Sequence, residues 1–145
     1  MSISQLEFEF LMGQNKKFKT DEEIEVGPAP LKWTRELNSL ESQDAFLVDY
    51  SRGKIQLLKF TLNKRFRQTI CLLRLDTIGR HTNPDGTLFD GPHIHIYRDG
   101  YDDKFAFPIE TVGIKDPTNI CNTIKEFLEF CNIRNIPPIQ NSTYL

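Results

Sequence analysis

At 145 residues the chain has the length of one domain that can bury its own core. Its 39% hydrophobic and 26% charged residues are those of an ordinary soluble globular protein, and no apolar run approaches bilayer-spanning length. A formal net charge of −2 hides an uneven distribution: from Arg52 to Arg80 eight cationic side chains face Asp76 alone, a local excess of seven.

In chain order, Ser4 to Met12 places Leu6, Phe10 and Leu11 on one helical face, and Gly13 ends the run. The first ten residues lack a basic stretch and are broken by acids, so no signal peptide is expected. Gly27-Pro28-Ala29-Pro30 is a breaker, and Trp33 to Leu40 is expected to add a helical turn or two. Ala45 to Tyr50 and Lys54 to Leu62 read as strands around a tight turn centred on Arg52-Gly53. A second tight turn near Asn63-Lys64 leads into a strand from Arg67 to Asp76. His93 to Tyr97 is a fourth strand and Lys104 to Phe107 a short fifth. Ile120, Ile124, Phe127, Leu128 and Cys131 recur at helical spacing before Pro137-Pro138. The expected fold is therefore α+β, an antiparallel meander of about four to five strands with an N-terminal and a C-terminal amphipathic helix on one face. Residues 1–145 form a single domain: a helical or irregular part (1–44), the sheet (45–110) and the final helix (116–133).

All three histidines fall within fifteen residues, in His81-Thr-Asn-Pro-Asp-Gly86 and Pro92-His-Ile-His95-Ile-Tyr97. Strand alternation puts His93, His95 and Tyr97 on one face, and Arg74 and Asp76 likewise share a face. If these two strands are neighbours, one surface gathers Arg74, Asp76, His93, His95 and Tyr97, with His81 and Asp85 at its edge.

Three chemistries fit. In metal-independent cleavage of RNA, His93 and His95 act as general acid and base and Arg74 stabilises charge on phosphorus. His81, Asp76 and Tyr97 then position groups around them. Lys59, Lys64, Arg65 and Arg67 would hold phosphates. In a metal-dependent hydrolase, the ligands come from His81, Asp85, His93 and His95. In a binding protein without turnover, the face recognises an anion or an acidic protein partner. Each motif alone also suits an ordinary edge strand or turn; it is their coincidence that points to a site. No cofactor is called for. The three cysteines, Cys71, Cys121 and Cys131, lack metal-site spacing and read as reduced thiols of a cytoplasmic protein without membrane contact.

Leu72-Leu-Arg-Leu-Asp76, Gly79, His81-x-Asn-Pro-Asp-Gly86, Pro92-His-Ile-His-Ile-Tyr97 and Asp102-Asp-Lys-Phe-Ala106 resemble an uncharacterised family of small bacterial and phage proteins, over about residues 45 to 110. A looser resemblance is to the TumE-type toxins of toxin–antitoxin pairs. It rests on an Arg-x-Asp strand end, a following histidine and a Pro-His-x-His-like strand, here Arg74, Asp76, His81, His93 and His95. The Gly79 to Pro92 loop is not part of that pattern. These resemblances imply a bacterial or phage cell as the setting. The partners expected are RNA, a cognate antitoxin or a host defence protein.

Overall fold

The computed structural model describes residues 3–53, 58–64 and 70–142, with 58–60 and 62–64 described by main chain alone. In chain order come α1 (Gln5–Gly13), β1 (Lys16–Phe18), β2 (Ile24–Gly27), β3 (Leu31–Ser39) and β4 (Ala45–Arg52). β5 (Leu58–Lys64), β6 (Ile70–Asp76), β7 (Arg80–Thr82), β8 (Leu88–Asp90) and β9 (His93–Ile96) follow. The chain continues through β10 (Ala106–Phe107), a 3-10 turn (Ile109–Val112), α2 (Ile120–Phe130) and β11 (Ile139–Asn141).

The architecture is α+β. β3 to β6 form an antiparallel meander, extended by β1 on one side and by β9 and β10 on the other. The sheet therefore has seven strands rather than four or five, in the order β1-β3-β4-β5-β6-β9-β10. β7 and β8 make a separate hairpin, and β11 pairs in parallel with β2.

Side-chain alternation assigns the two faces of the sheet. Leu37, Phe46, Val48, Leu73, Leu75 and Ile94 occupy one face and are fully buried. They join one hydrophobic cluster with Phe8 and Leu11 of α1 and with Ile124, Phe127 and Leu128 of α2. Burying each of these large side chains is worth about 1.5–3 kcal/mol. The other face carries the histidines.

Three expectations need correction. The stretch from Trp33 is β3, not helix: Leu31, Trp33, Arg35 and Leu37 recur every second residue, and pairing with β4 along eight positions outweighs any helical preference. On α1 the buried pair is Phe8 and Leu11, whereas Leu6 and Phe10 are 77% and 62% exposed. The helix offers two apolar faces, and the chosen one stacks Phe8 on Tyr97 at 5.5 Å. Neither tight turn forms as expected. Arg52 is still within β4, paired with Leu58, and Asn63 and Lys64 are still within β5, paired with Cys71 and Ile70. Residues 54–57 and 65–69, including Arg65 and Arg67, lie outside the described residues.

The helix ends follow local chemistry. The Ser4 hydroxyl accepts from the Glu7 N–H and the Asn119 amide oxygen from the Asn122 N–H, each capping a helix start. At the opposite ends Lys16, fully buried, donates from Nζ to the carbonyls of Met12 (3.2 Å), Gln14 (2.9 Å) and Cys131 (2.9 Å). One ammonium thus serves the C-termini of both helices, where the carbonyls carry partial negative charge.

Candidate functional site

The assumption behind the clustered histidines holds in the fold. β6 and β9 are antiparallel neighbours in a register that sets Arg74 opposite His95 and Asp76 opposite His93. Their side chains therefore stand side by side on the face away from the helices. The β7–β8 hairpin closes over them. His81 rises from β7, its ring centroid 4.5 Å from that of His95 and 5.8 Å from that of His93; His93 and His95 are 4.9 Å apart.

Asn83 fastens this hairpin. Its amide Nδ2 donates to the Ala106 carbonyl at 2.9 Å and its Oδ1 accepts from the Ala106 N–H at 2.8 Å. The side chain so acts as a short piece of strand added to the free edge of β10. The hairpin tip is held by Asp85, whose Oδ1 accepts from the Thr87 N–H at 2.9 Å; that bond keeps its carboxyl below the usual carboxylate range. Asp85 is exposed at the tip; the donor atoms that converge are those of Asp76, His93 and His95, so Asp76 replaces Asp85 and His81 in the expected ligand set.

Each imidazole is fixed by one main-chain carbonyl. The partners are Gly91 for His93 Nδ1 (2.7 Å), Asp103 for His95 Nδ1 (2.8 Å) and Lys104 for His81 Nε2 (2.7 Å). A carbonyl can only accept, so those three ring nitrogens carry the hydrogens. The opposite nitrogen of each neutral ring, Nε2 of His93 and His95 and Nδ1 of His81, is then a lone pair. Gly91 adopts φ +106°, left-handed backbone that glycine tolerates, in the turn where its carbonyl faces His93.

Arg74 completes the group. Its guanidinium donates to Asp103 Oδ2 at 2.9 Å, to His95 Nε2 at 3.0 Å and, through Nε, to Asp76 Oδ2 at 3.3 Å. Asp76 Oδ2 also lies 3.6 Å from His93 Nε2 and 3.5 Å from His95 Nε2. Burial divides the cluster into two layers. His93 and His95 are 2% and 1% exposed, while the side chains of Arg74 and Asp103 are 27% and 31% exposed and His81 is half-buried. Desolvation lowers the pKa of His93 below its ordinary 6.5, which favours the neutral ring. Cys71, nearby on β6, is pushed up to about 12 by burial and by Asp103, so its thiol is not a nucleophile at neutral pH.

The structure thus brings together Arg74, Asp76, His81, His93 and His95. It does not bring Tyr97. That residue follows the end of β9, lies buried in the core, donates its hydroxyl hydrogen to the Ile3 carbonyl at 2.6 Å and accepts from the Ile3 N–H at 3.0 Å. The alternation fails there because β6 has an irregularity at Leu72, whose carbonyl receives the Tyr97 N–H. Of the expected phosphate ligands, Lys59 sits opposite Asp76 in the β5–β6 register, whereas Lys64 lies at the other end of β5. Asp103, Asn83 and the Gly91 and Lys104 carbonyls are absent from the expected set. Only the acidic pair before Lys104 and the Asn-Pro-Asp-Gly turn hinted at them, since carbonyl partners leave no trace in composition.

The chain belongs to a protein family described as a family of unknown function (DUF6978), whose model matches residues 3–133. No curated protein and no solved structure matches the chain. No helix among the described residues is long and apolar enough to cross a membrane.

Proposed function

We propose that the protein is an RNA-directed endoribonuclease whose substrate meets His81 and Arg74. The observation that carries this reading is the pairing, on the solvent side of the cluster, of a fixed imidazole with a fixed guanidinium. His81 is locked to the Lys104 carbonyl, Arg74 to Asp103, and both contact His95. A neutral imidazole with a lone pair takes the 2′-OH proton as the 2′-oxygen bonds to phosphorus. Arg74 meets the charge gathering on the phosphoryl oxygens. The bond to the 5′-oxygen breaks, that oxygen takes a proton from solvent, and a 2′,3′-cyclic phosphate and a 5′-hydroxyl result.

His93 and His95 are too deeply buried to touch an RNA chain, so they orient His81 and Arg74 rather than exchange protons with substrate. The excess of positive charge between Arg52 and Arg80 supports an anionic substrate, as does the looser resemblance to TumE-type toxins. The test is incubation of the purified protein with labelled total cellular RNA. The wild type is expected to cleave; His81→Gln and Arg74→Gln are each expected to lose about 100-fold or more in rate.

A second reading, binding of a protein partner without turnover, is favoured by the apolar ridge of Leu6 and Phe10 on α1. Intact RNA after incubation with the wild type would shift the conclusion to it.

A further inference from the structure

We propose that Asp76, His93 and His95 form a binding site for one divalent first-row transition-metal ion. The site lies behind the residues assigned to substrate; it rests on the proposed function only for the meaning of that neighbourhood, not for its existence.

The donor atoms are prepared for an ion. The Gly91 and Asp103 carbonyls take the Nδ1 hydrogens of His93 and His95, and so fix the tautomer that leaves both Nε2 lone pairs pointing inward. This is the arrangement by which outer partners orient ligating histidines. The two Nε2 atoms stand 3.6 and 3.5 Å from Asp76 Oδ2, and the three donor atoms lie within 4.8 Å of one another. Metal–ligand bonds of about 2.0–2.1 Å at tetrahedral angles hold donors about 3.3–3.4 Å apart. The two carboxylate–imidazole spacings need only a slight contraction, and the two imidazole donors, within 4.8 Å of each other, close on the ion by side-chain rotation.

Electrostatics favours the same occupant. Two imidazole lone pairs and a carboxylate oxygen converge where His93 and His95 are almost closed to water. Acceptors facing one another at low dielectric repel, and a small cation between them turns the repulsion into attraction. The ligand set of two nitrogens and one oxygen suits zinc and its first-row neighbours, not calcium or magnesium, which prefer oxygen alone. The donors come from two strands paired in register, so their spacing is set by the sheet. Three protein ligands leave a coordination position unfilled, as in catalytic rather than structural sites.

Arg74 is the ion's competitor. Its guanidinium occupies His95 Nε2 at 3.0 Å, and the ion requires that bond to be given up. Asp103, 2.9 Å away, keeps Arg74 anchored when it does so. Removal of the arginine should therefore tighten metal binding, an outcome that a merely structural histidine network does not produce.

The experiment uses untagged wild-type protein stripped with EDTA and exchanged into metal-free buffer. Zinc is titrated calorimetrically, and cobalt(II) is followed by its visible ligand-field absorption. One ion per chain, with Kd below about 1 μM, is expected. Asp76→Asn, His93→Gln and His95→Gln should each weaken binding by about 100-fold or more. His81→Gln should leave it within a few-fold, and Arg74→Gln should strengthen it. On the wild type alone, zinc should shift the imidazole nitrogen resonances of His93 and His95, a readout independent of whether any variant folds. Absence of saturable binding overturns the proposal, and so does binding that survives His93→Gln unchanged. No RNA is present, so failure of the ribonuclease reading leaves this result standing, and failure here leaves cleavage by His81 and Arg74 untouched.

Discussion

Lys16 and the pair His93 and His95 are all buried ionisable side chains, and the fold holds them differently. Lys16 is buried with every ammonium hydrogen engaged by a main-chain carbonyl, and it sits 5.0 Å from the Phe46 ring centroid, a cation over an aromatic face. His93 and His95 are buried just as deeply, yet each spends one ring nitrogen on a carbonyl and leaves the other aimed at an acidic side chain. The lysine is saturated and works for the fold. The histidines each hold one nitrogen on a fixed main-chain carbonyl, while the second, Nε2, faces side chains that can move: Arg74 at 3.0 Å for His95 and Asp76 at 3.6 Å for His93. A polar group buried for stability satisfies its valences on fixed partners; one kept for chemistry turns a valence toward a partner that can move away.

The sharpest way to test this contrast is to remove the saturated group. Lys16→Met strands carbonyls at the C-termini of both helices, and should cost about 3 kcal/mol in urea unfolding while leaving RNA cleavage per folded molecule unchanged. A cost below about 1 kcal/mol would erase the distinction. Burial also lowers the pKa of Lys16, to about 8, so part of its ammonium's favourable contacts is offset by desolvation.

Next in size is Asn83→Ala, which deletes the two hydrogen bonds that hold the hairpin to β10. A loss of about 2 kcal/mol is expected by thermal or urea unfolding. Cleavage should fall by more than the unfolded fraction explains, because His81 loses its support. Gly91→Ala follows. Open space surrounds the position, so the cost comes from φ +106° alone, about 1–2 kcal/mol, with His93 turned from its carbonyl.

The smallest effect is a pH dependence. His93 has its folded pKa below the ordinary 6.5, so below about pH 6.5 the unfolded chain binds a proton that the folded chain binds only at lower pH. Stability should fall as pH drops from about 6.5 toward the folded pKa, and should not change on His93's account above 6.5. His93→Gln should flatten that part of a stability–pH curve relative to wild type; equal slopes would remove the assignment.

Much of the sheet was legible because its pattern is local. Ile70 to Asp76 and His93 to Ile96 alternate or carry β-branched residues, and Pro92 and Gly79 mark their limits. The helical expectation for Trp33 to Leu40 failed because what decides there is pairing with Ala45–Arg52, a contact that the segment itself does not encode. The candidate site was legible in its side chains: Arg74, Asp76, His81, His93 and His95 do converge. Its supporting shell was not, because the Gly91, Asp103 and Lys104 carbonyls belong to no residue type, and Tyr97 left the site at a strand end that periodicity does not show.

The two buried imidazoles carry their hydrogen on Nδ1, held by a main-chain carbonyl, and a lone pair on Nε2, which for His95 accepts from Arg74. The most direct measurement is nitrogen NMR of labelled histidines in the EDTA-treated protein at pH 7. The account predicts protonated Nδ1 with unprotonated Nε2 for His93 and His95, and the opposite pattern for His81. Doubly protonated rings for His93 and His95, or signals averaged between tautomers, would contradict it.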